Sequence, residues 1–136
     1  TITPASGFVG PLGALAIGLL AGIVCHFAVE WVKKKIKIDD SLDVFAVHGV
    51  GGALGTLLTA VFAAASLGGM GLADGTSMGS QFGVQLLGVV AVLAWSVGVS
   101  FIIIKICQAT VGLRVSEEDE IEGLDLIAHG ERGYDL

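Results

Sequence analysis

The sequence predicts an all-α integral membrane protein that crosses the bilayer with three helices and ends in a polar tail. Hydrophobic residues make up 54% of the 136 residues, only 15% are charged, and the mean hydropathy is +0.86. A soluble domain of this size could not bury so much apolar surface in its core. The apolar residues also form three long runs, which is the pattern of membrane-spanning helices.

The three predicted spans cover residues 12–32, 44–65 and 82–106. Each reaches the length of about 20 residues that a helix needs to cross about 30 Å of hydrocarbon. Pro4 and Pro11 precede the first span, and proline is well tolerated where a helix begins. Glycine-rich segments at 68–71 and 74–77 predict a loop between the second and third spans. We therefore assign residues 1–111 to a transmembrane part and 112–136 to a cytoplasmic tail.

The basic residues predict how the chain is oriented. Lys33, Lys34, Lys35 and Lys37 follow the first span, Lys105 ends the third, two arginines lie in the tail, and the loop 66–81 contains none. Short cytoplasmic loops retain Lys and Arg. We expect a plasma (inner) membrane protein, with Thr1 outside and Leu136 in the cytoplasm, and we interpret the lysine cluster as an orientation signal that contacts lipid headgroups.

Small residues predict close helix packing. The chain has 21 glycines, and pairs four residues apart occur at Gly18/Gly22, Gly51/Gly55 and Gly79/Gly83. Such pairs let helix backbones approach closely, so we expect a packed bundle and an oligomer. Cys25 and Cys107 lie inside apolar runs without a second metal ligand nearby, and we expect structural thiols with no metal and no cofactor.

Several classes of function are disfavoured. The net charge of −6 comes mainly from the tail, and the apolar body is almost uncharged, so nucleic-acid binding is unsupported. The glycines at 49–52 lack the lysine and the flanking strand of a phosphate-binding loop. No pairing of a nucleophile with a base is visible, and we expect a protein that is not an enzyme.

The segment 39–52 contains the residues most able to act on a solute. Asp39, Asp40 and Asp43 lie at the start of the second span, where Asp40 or Ser41 can cap free amides and the helix dipole favours negative charge. His48 follows roughly one turn inside the span, where desolvation disfavours the charged imidazolium. On a regular helix its face is shared by small or weakly polar residues, which are Gly52, Gly55, Thr56 and Thr59. That face suits a solute path, although His48 as a packing residue stays the alternative; for His26 packing is the favoured interpretation.

Three motifs in this order resemble the Amt/Rh ammonium transporters. The pattern Asp40-x-x-Asp43-x-Phe45-x-x-His48-Gly49 resembles the signature of that family. The segment Thr3-Pro4-Ala5-Ser6-Gly7 is similar to the exit of its eighth helix. The pattern Glu122-Gly123-Leu124-Asp125-x-x-x-His129-Gly130-Glu131 is similar to its regulatory tail.

The resemblance implies an architecture and a set of functional residues. The chain would be a segment of a longer protein, with its spans the ninth to eleventh helices of an eleven-helix, inverted-repeat subunit that forms a homotrimer. His48, Thr3 and Val44 would contact the pore or its substrate, although a capping role explains Thr3 equally well. The helix entrance would consist of Asp40, Asp43, Phe45 and Gly49. The regulatory tail would use Gly123, Asp125, His129, Gly130 and Glu131. Isolated, such a segment is not expected to transport.

The leading hypothesis is transport of ammonium or ammonia through a histidine-lined hydrophobic pore, with ammonium deprotonated on the way, as part of nitrogen uptake. Its expected partners are ammonium or ammonia, membrane lipid and a PII-type signal protein at the cytoplasmic face. An alternative is an ammonium sensor that signals through its tail to a PII-type partner. A third interpretation is a generic membrane bundle in which His48 only packs.

Overall fold

The computed structural model describes residues 1–38 and 40–134. In this part of the chain the regular secondary structure is entirely helical, which confirms the predicted all-α class. Three helices are long and apolar enough to cross a membrane: Pro11–Ile36, Phe45–Phe62 and Met78–Thr110. Contacts divide the chain into two compact units, 1–93 and 94–136, and each is described by itself.

The first membrane-capable helix consists of α1 (Pro11–Trp31) and a π-helical turn, Val32–Ile36. Pro11 is the first helical residue, as predicted, because the ring fixes a helical φ and no donor is needed there. The helix ends where Lys37 adopts a left-handed conformation with φ of 58° and its amide bonds to the Val32 carbonyl at 2.9 Å.

The second membrane-capable helix begins with a π-helical turn, Phe45–Val50, which we call the His48 turn, and continues as α2 (Gly51–Phe62). It ends before residue 65, the end of the predicted span. Ala64 leaves the helical conformation with ψ of 134°, and a short 3₁₀ turn, Ala65–Leu67, follows it. Gly68, with φ of +81°, then closes this turn, because glycine adopts the left-handed conformation without a steric cost.

The third membrane-capable helix, α3 (Met78–Thr110), has 33 residues and is about 50 Å long at 1.5 Å per residue. It begins four residues before the predicted span, because the Ser77 hydroxyl accepts a hydrogen bond from the Ser80 amide at 3.1 Å and caps the first turn. The predicted loops at 68–71 and 74–77 are non-helical in the structure.

In the first unit, α1 and α2 pack antiparallel. At one end the Met70 amide donates to the Phe8 carbonyl at 2.9 Å, and at the other end Lys33 pairs with Asp43. The core is small: Ile17 and Val32 are its largest fully buried side chains. Close approach is confirmed for the Gly51/Gly55 pair, where both glycines are buried against Thr1. At the other two predicted pairs, a methyl group added to either glycine would have no neighbour within 4 Å in the described chain.

Most large apolar side chains of α1 and α3 are exposed, including Leu12, Leu87 and Trp95. No residue in the most apolar window of α3 is buried within the described chain. Such surfaces suit lipid or further transmembrane helices. The chain is therefore a multi-pass membrane protein.

The second unit contains the polar tail. Its short helix α4 (Glu117–Glu122) begins at Ser116, whose hydroxyl accepts a hydrogen bond from the Asp119 amide at 3.1 Å. Arg114 binds both carboxylate oxygens of Glu120, at 2.9 and 3.1 Å. The predicted division at residue 111/112 between a membrane part and a tail stays a prediction.

Candidate functional site: the His48 turn

The His48 turn is wider than an α-helix. The Gly51 amide donates to the Ala46 carbonyl, five residues back, which is the π-helical pattern. Turns of this kind are rare and often lie at functional sites. Both ends of the turn are held, at the first by carboxylates and at the second by close packing around Gly51.

Asp40 caps the start of the turn. Its two carboxylate oxygens accept hydrogen bonds from the Val44 and Phe45 amides, each at 2.9 Å. The bonds to Phe45 and then Val44 stabilise the charged carboxylate and lower the pKa of Asp40 below its ordinary value of 3.8. Of the two predicted caps, Asp40 and Ser41, the structure shows Asp40 in this role. Asp39 lies outside the described residues.

Asp43 has a different role from Asp40. Its oxygens lie 2.8 and 3.0 Å from the Nζ of Lys33, in the π-helical turn that follows α1. Its backbone is left-handed, with φ of 55°, and its carbonyl accepts the Val47 amide at 2.9 Å. Among residues other than glycine, Asp and Asn tolerate this conformation best. Asp43 therefore joins the end of the first membrane-capable helix to the beginning of the His48 turn.

The imidazole of His48 is exposed, and it makes no hydrogen bond or ion pair with the residues that the structure describes. A neutral imidazole presents one donor and one acceptor, and both are open to a solute or to another part of a larger protein. His48 is thus not a packing residue within this segment.

The expected common face of His48 and α2 is only partly open: Gly52 has open space around it within the described chain, whereas Gly55 and Thr59 are buried. Gly55 is buried under Thr1, and Thr59 is only 6% exposed, with its hydroxyl bonded to the Gly55 carbonyl at 2.7 Å. The expectation assumed a regular helical period, whereas the π-turn between His48 and Gly51 changes the angular position of the residues that follow. Gly55 and Thr59 serve packing, whereas His48 is open.

The other predicted entrance residues surround the same turn. Val44 and Phe45 have exposed side chains and backbone amides that are held by Asp40. A methyl group at Gly49 would lie 3.5 Å from Cδ2 of the Phe45 ring, an ordinary contact. The ring therefore lies beside Gly49, one turn along the helix.

Thr3 lies in a separate N-terminal 3₁₀ turn, Thr3–Ala5, and its side chain is exposed. No side-chain hydrogen bond caps that turn, so the capping alternative finds no support in the described residues. Thr1, rather than Thr3, contacts the second membrane-capable helix. Its hydroxyl lies 3.9 Å from the Cys25 Sγ, and both groups pack on Gly51.

Sequence reasoning missed Lys33 and Thr1 as neighbours of the His48 turn. The sequence indicates only a role in membrane orientation for Lys33, because nothing in the spacing distinguishes it from the adjacent lysines. The Gly51/Gly55 spacing did predict a close approach, but it could not name the partner.

A cleft of about 280 Å³ lies at the opposite end of the first unit. Its lining includes Phe8, Thr59, Gln81 and Gln85. His48 does not line this cleft, which is therefore separate from the candidate site.

The predicted tail residues form a folded turn in the second unit. Gly123 (φ +104°) ends α4, and Gly130 (φ +65°) ends a π-helical turn, Asp125–His129. The Glu131 amide then bonds to the Asp125 carbonyl at 3.1 Å. The two glycines are needed because other residues rarely adopt these φ values. His129 lies in this turn and is exposed.

Comparison with known proteins identifies the family. The family model described as Ammonium Transporter Family matches residues 1–134. The chain belongs to the Ammonium Transporter Family. One similar member is an ammonium transporter of Aquifex aeolicus, which is 46% identical over 99% of this chain and 31% of the relative. Another is an ammonium transporter of Bacillus subtilis, which is 43% identical over 98% of this chain and 33% of the relative.

A solved structure titled "Sensor Amt Protein" is also similar, with a TM-score of 0.80 and 39% identity over 90% of this chain and 29% of that one. The chain thus spans about a third of the length of the Ammonium Transporter Family members that it matches. The resemblance to Amt/Rh transporters drawn from the three motifs is confirmed.

Proposed function

We propose that this chain forms part of the pore of an ammonium transporter, with His48 lining a hydrophobic path in which ammonium loses its proton. The observation that carries the proposal is the exposed imidazole of His48, which has no partner in the described chain and lies on a helix able to cross a membrane. Ionisable side chains at membrane depth are costly and usually functional. Membership of the Ammonium Transporter Family supports ammonium as the substrate.

The chemistry of the site suits separation of ammonium from ammonia. Moving a full charge into a dry apolar path costs several kcal/mol or more, whereas neutral ammonia needs only hydrogen-bond partners. The imidazole of His48 offers both a donor and an acceptor. Val44 and Thr3, whose side chains are exposed, are proposed as further pore contacts, while Asp40, Asp43, Phe45 and Gly49 form the entrance. Potassium has no proton to lose and would be excluded.

Substitution of His48 in the full-length transporter tests the proposal. We expect H48A to change methylammonium flux into proteoliposomes by about tenfold, equivalent to one hydrogen bond to a charged group, and to weaken selectivity against potassium. H26A is the matched control, because His26 is an exposed histidine on another membrane-capable helix, where its ring lies edge-on to the Phe27 ring (5.6 Å between centroids) and within electrostatic range of Glu30. Unchanged flux and selectivity in H48A would remove His48 from the mechanism.

The second candidate is an ammonium sensor that signals through the tail. Two observations favour it: the similarity to a protein titled "Sensor Amt Protein" and the folded tail, in which Gly123 and Gly130 shape defined turns. A PII-type signal protein is the proposed partner, and Asp125, His129 and Glu131 lie within the proposed regulatory segment. Deleting residues after Arg114 distinguishes the two functions, since a sensor loses signalling and keeps its flux.

The proposed assembly is a homotrimer in the plasma membrane, with the tail in the cytoplasm. The exposed apolar surfaces of α1 and α3 support burial against lipid and other helices. The Lys33–Lys37 segment supports a cytoplasmic location for the connection between the first two membrane helices.

A further inference from the structure

We infer that Lys33 and Asp43 form an ion pair that positions the His48 turn, and that Lys33 is therefore a positioning residue for the pore histidine. The inference rests on the proposed function of His48. Lys33 does not touch the imidazole; it acts through Asp43, which belongs to the proposed entrance. The pair joins two helices across the connection between them.

The geometry of the pair is specific. A single ammonium group lies within 3.0 Å of both oxygens of Asp43. The Asp43 side chain is 28% exposed and that of Lys33 is 46% exposed, so the pair is partly sheltered from water. The connection has a left-handed residue at each end, with φ of 58° at Lys37 and 55° at Asp43.

The link from Asp43 to His48 is made by the backbone. The carbonyl of Asp43 accepts the Val47 amide, and Val47 directly precedes His48. The imidazole has no side-chain partner in the described chain, so its position within this segment is set by the backbone of the turn. A shift of Asp43 therefore moves His48 as well.

The other end of the turn is fixed by packing. A methyl group at Gly51 would lie 2.6 Å from the Thr1 Oγ1 and 2.9 Å from the Cys25 Sγ, so this end is closely packed. At the first end, Asp40 bonds to the Val44 and Phe45 amides, and the Lys33–Asp43 pair is the contact that ties this end to the preceding helix. The neighbouring lysines do not have this role: Lys34 pairs with Glu30 within its own helix, at 2.8 Å.

The experiment uses the full-length transporter and compares K33Q, K33R and K35Q. K35Q is the matched control, because Lys35 lies in the same π-turn and loses the same charge, but has no ion-pair partner among the described residues. Amide hydrogen exchange over residues 44–50 and methylammonium flux in proteoliposomes are measured for each variant. We expect K33Q to accelerate exchange about two- to fivefold, the range for a partly exposed ion pair.

K33Q should also lower the maximal flux while leaving the half-saturating concentration nearly unchanged, and K33R should behave like the parent because it retains both contacts. D43N should reproduce K33Q, and the double variant should be no worse than either single one. Unchanged exchange in K33Q, or an equal effect in K35Q, overturns the inference. Faster exchange with unchanged flux in K33Q also overturns it, because the ion pair would then stabilise the turn without affecting the function of His48.

H48A is measured in the same vesicles to separate the two claims. Altered flux in H48A together with unchanged flux in K33Q overturns only the positioning role of Lys33. Unchanged flux in H48A overturns the proposed function itself, and the positioning role falls with it.

Discussion

At the scale of single residues, the start of the second membrane helix depends on two aspartates that act differently. Asp40 satisfies the free amides of Val44 and Phe45, and Asp43 accepts the Lys33 ammonium group. A helix has unpaired amides at its beginning, and a carboxylate both bonds to them and interacts favourably with the helix dipole. One aspartate therefore satisfies two amides at the start of the helix, and the other links that start to the preceding helix.

The lowered pKa of Asp40 predicts an acid-sensitive helix start. Since the folded protein favours the charged carboxylate, the stabilisation is present above the ordinary pKa of 3.8 and is lost as pH falls through the lower pKa of the folded state. We expect exchange of the Val44 and Phe45 amides, corrected for its intrinsic pH dependence, to accelerate below pH 3.8. Asparagine still caps a helix but does not titrate, so D40N should remove this acceleration. An identical acid response in D40N would assign it to another carboxylate.

The chemistry of these residues could be predicted from the sequence more fully than their geometry. Capping by Asp40 or Ser41 follows from polar residues just before an apolar run, although the sequence does not choose between them. The sequence could not predict that His48 is exposed while Gly55 and Thr59 are buried. The reason is that the π-helical hydrogen bond from the Gly51 amide to the Ala46 carbonyl cannot be recognised from composition or residue spacing. The role of Lys33 depends on a left-handed aspartate ten residues away, which is a tertiary property.

At the scale of elements, α2 is packed by backbone contact rather than by large side chains. The N-terminal segment lies against Gly55, and the Thr1 carbonyl occupies the space that a side chain would need. Gly52, on the same helix, has open space around it within the described chain. A side chain is therefore excluded at Gly55 but has room at Gly52, three residues earlier in the same helix.

We predict that G55A destabilises the full-length transporter and that G52A does not. The new methyl group at residue 55 would lie 2.8 Å from the Thr1 carbonyl carbon, so the N-terminal segment must move. Overpacking of this kind costs about 1–3 kcal/mol. At residue 52 alanine gains about 1 kcal/mol of helix propensity over glycine. Both effects are measured as the thermal midpoint of each purified variant in detergent. Equal midpoints for G55A and G52A would show that the N-terminal segment does not pack on Gly55.

Hydropathy was sufficient to locate the three membrane-capable helices, but it could not set their ends. The second helix stops at Phe62 although apolar alanines follow, because the glycines after residue 67 allow the chain to turn back. The third begins early because Ser77 caps it. Helix ends depend on local hydrogen bonds and left-handed residues, to which a hydropathy average is insensitive.

At the scale of the whole molecule, the two ends of the first unit differ in their content of basic residues. One end holds the Lys33–Asp43 pair and the remaining lysines of the first connection. The other holds the Phe8–Met70 hydrogen bond and a glycine-rich loop with Asp74 and no basic residue. Because α1 and α2 are antiparallel, a membrane around this unit would separate the two ends.

This separation predicts which residues are reached from each side of the membrane. In a full-length transporter with Cys25 and Cys107 replaced by alanine, we expect a cysteine at Asp74 to react with a membrane-impermeant maleimide added to intact cells. A cysteine at Lys35 should react only after permeabilisation, because lysines of short loops are retained in the cytoplasm. Both positions are exposed in the structure, so accessibility within the protein does not differ between them. The reverse labelling pattern would place His48 near the outer surface and would require a different direction for the proposed proton release.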